Sequence, residues 1–287
     1  MKNKRKVNST GVGLGLHARR ILAYVVLIIV SFFCLFWFYV LFVNATRSNS
    51  NLQSGFSVLP SSNLLSHLLE KSGLPVIQGM LNSLIISTCS AVVCVYFSTM
   101  TAYAIHVYDF KLKKFIYPFI LAVMMIPTQV TALGFVNLVS DMNLEDSFIP
   151  LIIPQIAVPI TFFYMKQYME SSLPLSLVEA ARIDGSGEFR TFNHIVLPLM
   201  KPAIAVQAIF TFVSSWNNYF IPALILHDDS KKTLPILIAQ LRAADWLKFD
   251  MGQVYIMIAF SIFPVIVVYL ILSKHIVQGV ALGSVKG

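Results

Sequence analysis

Residues 21–43 read ILAYVVLIIVSFFCLFWFYVLFV, a run of 23 residues without Asp, Glu, Lys or Arg. A helix needs about 20 apolar residues to cross the hydrocarbon core of a bilayer, so this run is long enough to span one. Five further segments share this property, and the six candidate spans are 21–43, 76–105, 115–138, 148–165, 202–226 and 252–272. The sequence therefore predicts an all-α integral membrane protein with six transmembrane helices.

The composition of the whole chain supports this prediction. Of its 287 residues, 57% are hydrophobic and 12% are charged, whereas a soluble domain has about 45–50% apolar and about 25% charged residues. The three cysteines (Cys34, Cys89 and Cys94) lie in apolar runs and form no metal-binding spacing. We therefore expect neither a disulfide framework nor a bound metal.

The charged residues between the spans predict the orientation of the chain. The N-terminus, the 106–114 and 166–201 loops and the C-terminal tail hold 15 Lys and Arg and 5 acids, a net charge of +10. The three alternate loops hold 6 Lys and Arg and 8 acids, a net charge of −2. Because cytoplasmic loops carry excess Lys and Arg, both termini are predicted to be cytoplasmic, and the net charge of +8 gives no reason to expect a nucleic-acid partner.

These boundaries divide the chain into five predicted regions. A basic cytoplasmic N-terminus (1–20) precedes span one (21–43), which an extracytoplasmic loop (44–75) follows. Residues 76–272 form a core with spans two to six and the cytoplasmic 166–201 loop, and 273–287 form a cytoplasmic tail. In the first outer loop, a helical pattern over 61–74 predicts a helix lying on the membrane surface. In the last outer loop, a helical pattern over 233–247 predicts a short helix capped by Thr233.

The predicted spans contain no Asp, Glu, Lys, Arg or His. Ionisable groups inside a membrane usually mark ion or proton paths, so their absence disfavours an ion-coupled carrier. Neutral polar groups beside aromatic rings suit an uncharged polyhydroxyl solute, although such groups also join helices to each other in membranes. The candidate pathway residues are Asn82, Gln129, Trp216, Asn217, Asn218 and Tyr219.

The 166–201 loop has the sequence pattern of two helices joined by a turn. The capping-box spacing of SLVE at 176–179 predicts a helix that begins at Ser176, and Gly185 is predicted to end it. Ser186 is predicted to cap a second helix that runs to about Val196. The pattern from 179 to 198 is EAA-x3-G-x9-I-x-LP, formed by Glu179, Ala180, Ala181, Gly185, Ile195, Leu197 and Pro198.

This pattern resembles the EAA motif of permease subunits of binding-protein-dependent ABC importers. The resemblance extends over about residues 75–287. In this range the chain is similar to permease subunits of carbohydrate importers, of the second maltose permease type. The supporting motifs are NSL at 82–84, MIP at 125–127, AARIDG at 180–185, LPLMKP at 197–202, WNN at 216–218, TLP at 233–235 and GSVKG at 283–287.

The resemblance implies a type I permease fold in a multi-pass protein of the bacterial cytoplasmic membrane. This subunit would pair with a second permease on a dimer of cytoplasmic ATPases, which would bind ATP and Mg, and an extracytoplasmic solute-binding protein would deliver a sugar. The EAA helix would dock in an ATPase cleft, with Glu179 meeting a basic residue there, and the tail would reach toward the ATPase interface. The implied coupling residues are Glu179, Ala180, Ala181, Arg182, Asp184 and Gly185, with Gly283, Lys286 and Gly287 in the tail.

This chain is not expected to be an enzyme or to hold a catalytic residue or cofactor. It has no GxxxxGK[ST] motif for ATP, and its six histidines are scattered. The alternatives are an importer permease for a peptide, polyamine or phosphate, a stand-alone channel or carrier, and a membrane-embedded enzyme.

Overall fold

The computed structural model describes residues 10–69, 75–243 and 251–283, and within these ranges the regular structure is entirely helical. Residues Ile153–Ala157 form a 3-10 turn and residues Phe192–Val196 form a π turn. The α-helices are α1 (Thr10–Ala45), α2 (Asn49–Gln53), α3 (Leu64–Leu69), α4 (Val76–Val107), α5 (Lys113–Val123), α6 (Thr128–Asp141), α7 (Ile149–Ile152), α8 (Pro159–Ser172), α9 (Leu175–Ile183), α10 (Glu188–Thr191), α11 (Leu197–Leu199), α12 (Lys201–Trp216), α13 (Phe220–Ile225), α14 (Leu234–Ala243) and α15 (Met251–Gly283).

Four helical segments of the described residues are long and apolar enough to cross a membrane. They are His17–Ala45, Val76–Val107, Ile149–Ser172 and Met251–Lys274, and the number rises to six if each of two bent helix pairs is one span. The all-helical, multi-spanning fold predicted from the sequence is confirmed. The described helix around the fourth predicted span is longer than 148–165, because α8 continues to Ser172.

Two of the predicted spans are interrupted. In the third, α5 and α6 meet at 97° across Met124–Pro127, where Pro127 is extended and begins the second helix. In the fifth, α12 ends at Trp216 and α13 begins at Phe220. The other bent pair joins the Glu188–Leu199 segment to α12 at 81°. Neither of these two predicted spans is therefore one continuous helix, and proline, which lacks an amide donor and disfavours a helical residue before it, explains the first break.

The chain forms two compact units, of which the smaller comprises residues 1–71 and 245–259. In this unit α1 presents large apolar side chains along most of its length, as a lipid-facing helix does. Its end is fixed by hydrogen bonds from the Arg47 guanidinium to Gly55 O (2.9 Å) and between His67 Nδ1 and Ala45 O (3.0 Å). A helix was predicted over 61–74; α3 covers Leu64–Leu69, and residues 70–74 lie outside the described ranges.

The larger unit comprises residues 72–244 and 260–287, and α4 runs through its core. At one end of α4, Ala102 and Tyr103 pack with Met165, Met169 and residues of the 173–200 segment. At the other end, Ile86 packs with Leu151, Ile225 and Ile236. α4 therefore contacts both the connecting loop at one end of the spans and the helices at the other.

Candidate functional site

The predicted coupling helix is present as α9, but it begins differently from the prediction. It starts at Leu175 behind Pro174, whose backbone is extended and which forms no side-chain cap. The capping box predicted for SLVE at 176–179 was therefore wrong. Proline is well suited to a helix start because its missing amide leaves no unsatisfied donor in the first turn.

The predicted end of α9 at Gly185 has the local geometry of a C-terminal cap. Gly185 has φ = 75°, the left-handed region that glycine adopts without steric cost. Its amide donates to Arg182 O (3.0 Å), and the amide of Ser186 donates to Ala181 O (2.9 Å). This pair of bonds is the Schellman motif, which satisfies carbonyls at the end of a helix.

One face of α9 is buried and the other is free. Val178 and Ala181 are buried against the core, whereas Glu179, Ala180 and Asp184 are exposed. Ile183 is 86% exposed. Among the described residues, none forms an ion pair or hydrogen bond with the Glu179 carboxylate. An exposed carboxylate beside an unburied isoleucine is a surface available to another protein.

Arg182 is held within the chain by Glu188. Its Nε lies 2.6 Å from Glu188 Oε1, and its guanidinium lies 5.6 Å from the ring centroid of Tyr108. The hydroxyl of Tyr103 donates to the other carboxylate oxygen, Glu188 Oε2, at 2.9 Å. The bond from Arg182 is the main cause that lowers the pKa of Glu188 to about 2, while burial raises the pKa of Tyr108. Glu188 therefore joins α9 to the end of α4.

Two further hydrogen bonds fasten the loop to α4. Tyr96 OH donates to Asn193 Oδ1 at 3.2 Å, and His106 Nε2 lies 3.2 Å from Leu173 O. Together with Tyr103, these contacts connect three positions along α4 to the beginning and the second half of the loop. Hydrogen bonds therefore fasten the loop to α4 at three positions along that helix.

The second half of the loop is helical, but Ser186 does not cap it. Gly187 occupies the N-cap position of α10 without a side-chain bond, and Ser186 Oγ instead accepts a 3.0 Å hydrogen bond from Thr191 Oγ1. The predicted helix to Val196 is a one-turn helix followed by a π turn and α11, so helical structure continues through Pro198 to Leu199.

A cavity of about 340 Å³ lies in the larger unit between α4, α8 and α12. Thr161, Gln207 and Thr233 on its wall are nearly inaccessible to solvent. The lining includes no charged side chain among the described residues. Its polar residues, other than the phenol of Tyr164, are Ser83, Gln155, Thr161, Gln207, Thr211, Ser214, Ser215, Asn218 and Thr233.

This lining is suited to an uncharged hydrogen-bonding solute. Hydroxyl and amide side chains supply both donors and acceptors. The Thr233 hydroxyl is buried and forms no hydrogen bond with any residue that the structure describes, which is costly for a polar group unless a partner is supplied. Tyr164 and Phe210 add ring surface to the same wall.

Asn82 lies beside this cavity and binds the protein itself. It is 2% exposed, accepts a hydrogen bond from Gln78 Nε2 (3.0 Å), and donates from Nδ2 to Ser230 O and Lys232 O, each at 2.9 Å. The next residue, Ser83, lines the cavity. The serine also accepts the amide of Leu234 (2.9 Å), so Ser83 caps α14 and the predicted side-chain cap from Thr233 was wrong.

The other predicted pathway residues lie in different environments. Asn218 lines the cavity. Trp216 is 2% exposed, and its indole donates to Ser261 O at 3.1 Å. Gln129, Asn217 and Tyr219 are exposed. In the tail, α15 ends at Gly283, whereas Lys286 and Gly287 lie outside the described residues.

Several residues at these sites escaped the sequence analysis. Glu188 and Tyr103 are 85 residues apart, and no local pattern links them. Gln207, Thr211, Ser214 and Ser215 line the cavity but are not among the predicted pathway residues. Their spacing of three to four residues places them along one helical face, which is a signal that could have marked them.

The chain matches the family of binding-protein-dependent transport system inner membrane components over residues 95–282. It is 36% identical over 209 residues to the arabinooligosaccharides transport system permease protein AraQ of Bacillus subtilis (strain 168), which covers 72% of each chain. It is 31% identical over 267 residues to the sn-glycerol-3-phosphate transport system permease protein UgpE of Yersinia pestis bv. Antiqua (strain Antiqua), covering 90% of this chain and 95% of UgpE.

A solved structure has the same fold. A chain in the crystal structure of a bacterial ABC transporter involved in the import of the acidic polysaccharide alginate superimposes with a TM-score of 0.74 and 22% sequence identity, covering 94% of this chain and 99% of that one. The sequence matches place this chain plainly: it belongs to the family of binding-protein-dependent transport system inner membrane components.

Proposed function

We propose that this family member is the permease subunit of an ATP-driven ABC importer that moves a sugar or oligosaccharide across the bacterial cytoplasmic membrane by alternating access. The observation that carries the proposal is α9, which keeps Glu179 and Ile183 free on a loop fixed to α4. A free docking face on a rigid connection is what transmits force between a partner and the spans. The residues of this permease subunit perform no catalysis.

The partner at α9 is a cytoplasmic ATPase. Glu179 would meet a basic residue in a cleft of the ATPase, with the exposed Ala180 allowing a close approach and Gly185 making the turn, whereas Ala181 lies on the buried face of α9. Arg182 contributes by holding Glu188, and Asp184 is exposed at the C-cap. ATP and Mg are bound by the ATPase dimer, and residues 283–287 of the tail reach toward its interface.

The cargo is a neutral saccharide. The residues named for the cavity present hydroxyls and amides and no cation, so they offer no ion pair to a phosphate ester or another anionic cargo. This observation favours an oligosaccharide of the kind named for AraQ over the sn-glycerol-3-phosphate named for UgpE. It equally disfavours a polyamine, which requires carboxylates.

The remaining partners complete the importer. A second, similar permease pairs with this subunit, and a solute-binding protein docks on the outside, where the 227–233 turn and α14 lie. This arrangement places both termini and the α9 loop in the cytoplasm, consistent with the excess of Lys and Arg in those segments.

Reconstitution tests the proposal. The full chain, co-expressed with its partner permease and ATPase, is expected to purify as one complex. In proteoliposomes with the cognate binding protein, that complex should take up radiolabelled arabinooligosaccharide in an ATP-dependent manner and should not take up sn-glycerol-3-phosphate. Failure of the ATPase to co-purify would overturn the coupling role, and uptake of the phosphate ester alone would overturn the neutral cargo.

A further inference from the structure

A second cavity, of about 280 Å³, lies between the start of α5 and the end of α8. It is at the end of α4 that contacts the 166–201 loop, which contains α9. It is separate from the polar cavity and shares no lining residue with it. Its polar side chains are His106, Lys113, Lys114, Tyr117, Lys166 and Glu170.

The charge of this cavity is strongly positive. Three lysines face one carboxylate, and that carboxylate is already occupied, since Glu170 Oε1 lies 2.6 Å from Lys166 Nζ. Lys113 Nζ donates one hydrogen bond to Tyr108 O (2.9 Å), which leaves its charge uncompensated. No described carboxylate pairs with Lys113 or Lys114. Two positive charges therefore remain available to an anion.

The positions of these charges are fixed by the surrounding helices. The Lys166 side chain is 14% exposed and its ammonium lies 4.2 Å from the ring centroid of Tyr117, so a cation–π contact and an ion pair hold it on the cavity wall. α5 begins at Lys113 and is 11 residues long. Its N-terminus adds partial positive charge at the same place.

Apolar surface continues directly from the lysines. Phe115 and Phe119, one turn apart on α5, stack with ring centroids 5.9 Å apart, and they are 66% and 56% exposed. They belong to the apolar stretch of the bent third span, so hydrocarbon chains are their natural neighbours. A basic cavity next to exposed rings matches a molecule with an anionic head and an apolar tail.

We propose that this cavity binds the phosphate headgroup of an anionic phospholipid, with the acyl chains lying along Phe115 and Phe119. Lys113 and Lys114 contact the phosphate, and Lys166 forms the back wall. Basic pockets between membrane helices bind anionic headgroups by this combination of charge and interfacial position. Inorganic phosphate shares the headgroup chemistry, but it gains nothing from the adjoining rings. This proposal depends only on the chain lying in a membrane and not on the cargo of the importer.

Native mass spectrometry of the full-length protein in detergent tests this site, with phosphatidylglycerol, phosphatidylcholine and inorganic phosphate as separate probes. The wild type should retain phosphatidylglycerol in preference to the other two. The double variant Lys113→Gln/Lys114→Gln should bind it about 25-fold more weakly, because each lysine near an anionic headgroup contributes roughly a fivefold factor.

Two controls make the result specific. Lys111→Gln removes a lysine from the same turn that does not line the cavity, and it should leave phosphatidylglycerol binding unchanged. Lys113→Arg/Lys114→Arg keeps both charges and should retain binding, which separates lost charge from lost folding. Equal retention of phosphatidylglycerol by the wild type and the double Gln variant would overturn the proposal. So would an equal affinity for inorganic phosphate, which would identify a site for soluble anions.

Discussion

The hydroxyl of Tyr103, near the end of α4, donates a 2.9 Å hydrogen bond to Glu188, the first residue of α10. The same carboxylate holds Arg182 of α9. Ser83, which lines the polar cavity, lies twenty residues before Tyr103 on the same helix. This separation corresponds to roughly 30 Å along a straight helix. A single uninterrupted helix thus links the docking loop to the cavity.

Removal of the Glu188 charge should weaken this link. In Glu188→Gln, the amide can still accept from Tyr103, but it no longer pairs with the Arg182 cation, so the loop is held less firmly. We expect the reconstituted importer to take up less cargo while the ATPase stays associated. An uptake assay measures the first effect, and co-purification of the ATPase measures the second.

Asp109→Asn serves as its control, because it neutralises an exposed acid on a neighbouring turn and should leave uptake unchanged. Normal uptake by Glu188→Gln would show that the carboxylate does not participate in coupling.

The pH dependence of this contact follows from the pKa of Glu188, which is lowered from 4.5 to about 2. A lowered pKa means that the folded state favours the carboxylate, so the stabilisation is complete above pH 4.5 and is lost as the pH falls toward 2. Hydrogen exchange in residues 184–192, corrected for the intrinsic rate, should therefore be constant from pH 8 to 5 and rise below about 4.5. The variant Glu188→Gln should lack this acid step. A loss of protection near pH 6 would assign the loop's stability to another group.

Charge reversal on the free face of α9 should break the contact with the ATPase. Glu179→Lys places a cation opposite the basic residue that docking requires, and like charges across an interface cost several kcal/mol. We expect ATPase association to weaken about 10-fold or more, with normal membrane insertion, as measured by co-purification and quantitative immunoblotting.

The same acid-to-lysine change at the exposed Asp109 controls for altered net charge. An undiminished complex in Glu179→Lys would exclude this carboxylate from the interface, whereas loss of the complex in both variants would indicate a general charge effect.

Short sequence patterns predicted the structural features that depend on residues close together in the chain. The apolar runs predicted the spanning helices, and Gly185 predicted the end of α9 because a left-handed residue there is nearly restricted to glycine. The α5–α6 break was harder to foresee. Pro127 predicts an interruption of the helix, but the bend angle of 97° depends on how both helices pack.

Contacts between distant residues were outside the reach of these patterns. Thr233 had the sequence position of a helix cap, yet Ser83 supplies the acceptor to Leu234 from 151 residues away. Polar residues in a span carry the same ambiguity. Asn82 and Asn218 are both amides in apolar predicted spans, and only the fold shows that the first binds backbone carbonyls while the second lines the cavity.

Asn82 should matter for stability. Its substitution by Ala leaves the carbonyls of Ser230 and Lys232 without their donor, and an unsatisfied buried polar group costs about 1–3 kcal/mol. We expect a lower thermal unfolding temperature and faster hydrogen exchange in residues 228–234. Gln78→Ala is the matched control, because among the described residues the exposed Gln78 side chain hydrogen-bonds only to Asn82, and its loss should change stability by less than about 0.5 kcal/mol. Equal effects of the two variants would refute an anchoring role for Asn82.

The adjacent pair Asn217 and Asn218 offers the sharpest test of the polar cavity. Both amides lie at the break between α12 and α13, but only Asn218 is on the cavity wall, while Asn217 is exposed. If the cavity holds the sugar, Asn218→Ala removes one hydrogen bond to a hydroxyl, which is worth about 0.5–1.5 kcal/mol and corresponds to a 2- to 13-fold weaker apparent affinity. Concentration-dependent uptake should show this change in Asn218→Ala and a smaller one in Asn217→Ala. The reverse order would place the sugar on the exposed side of the break, and wild-type uptake by both variants would remove this break from the pathway.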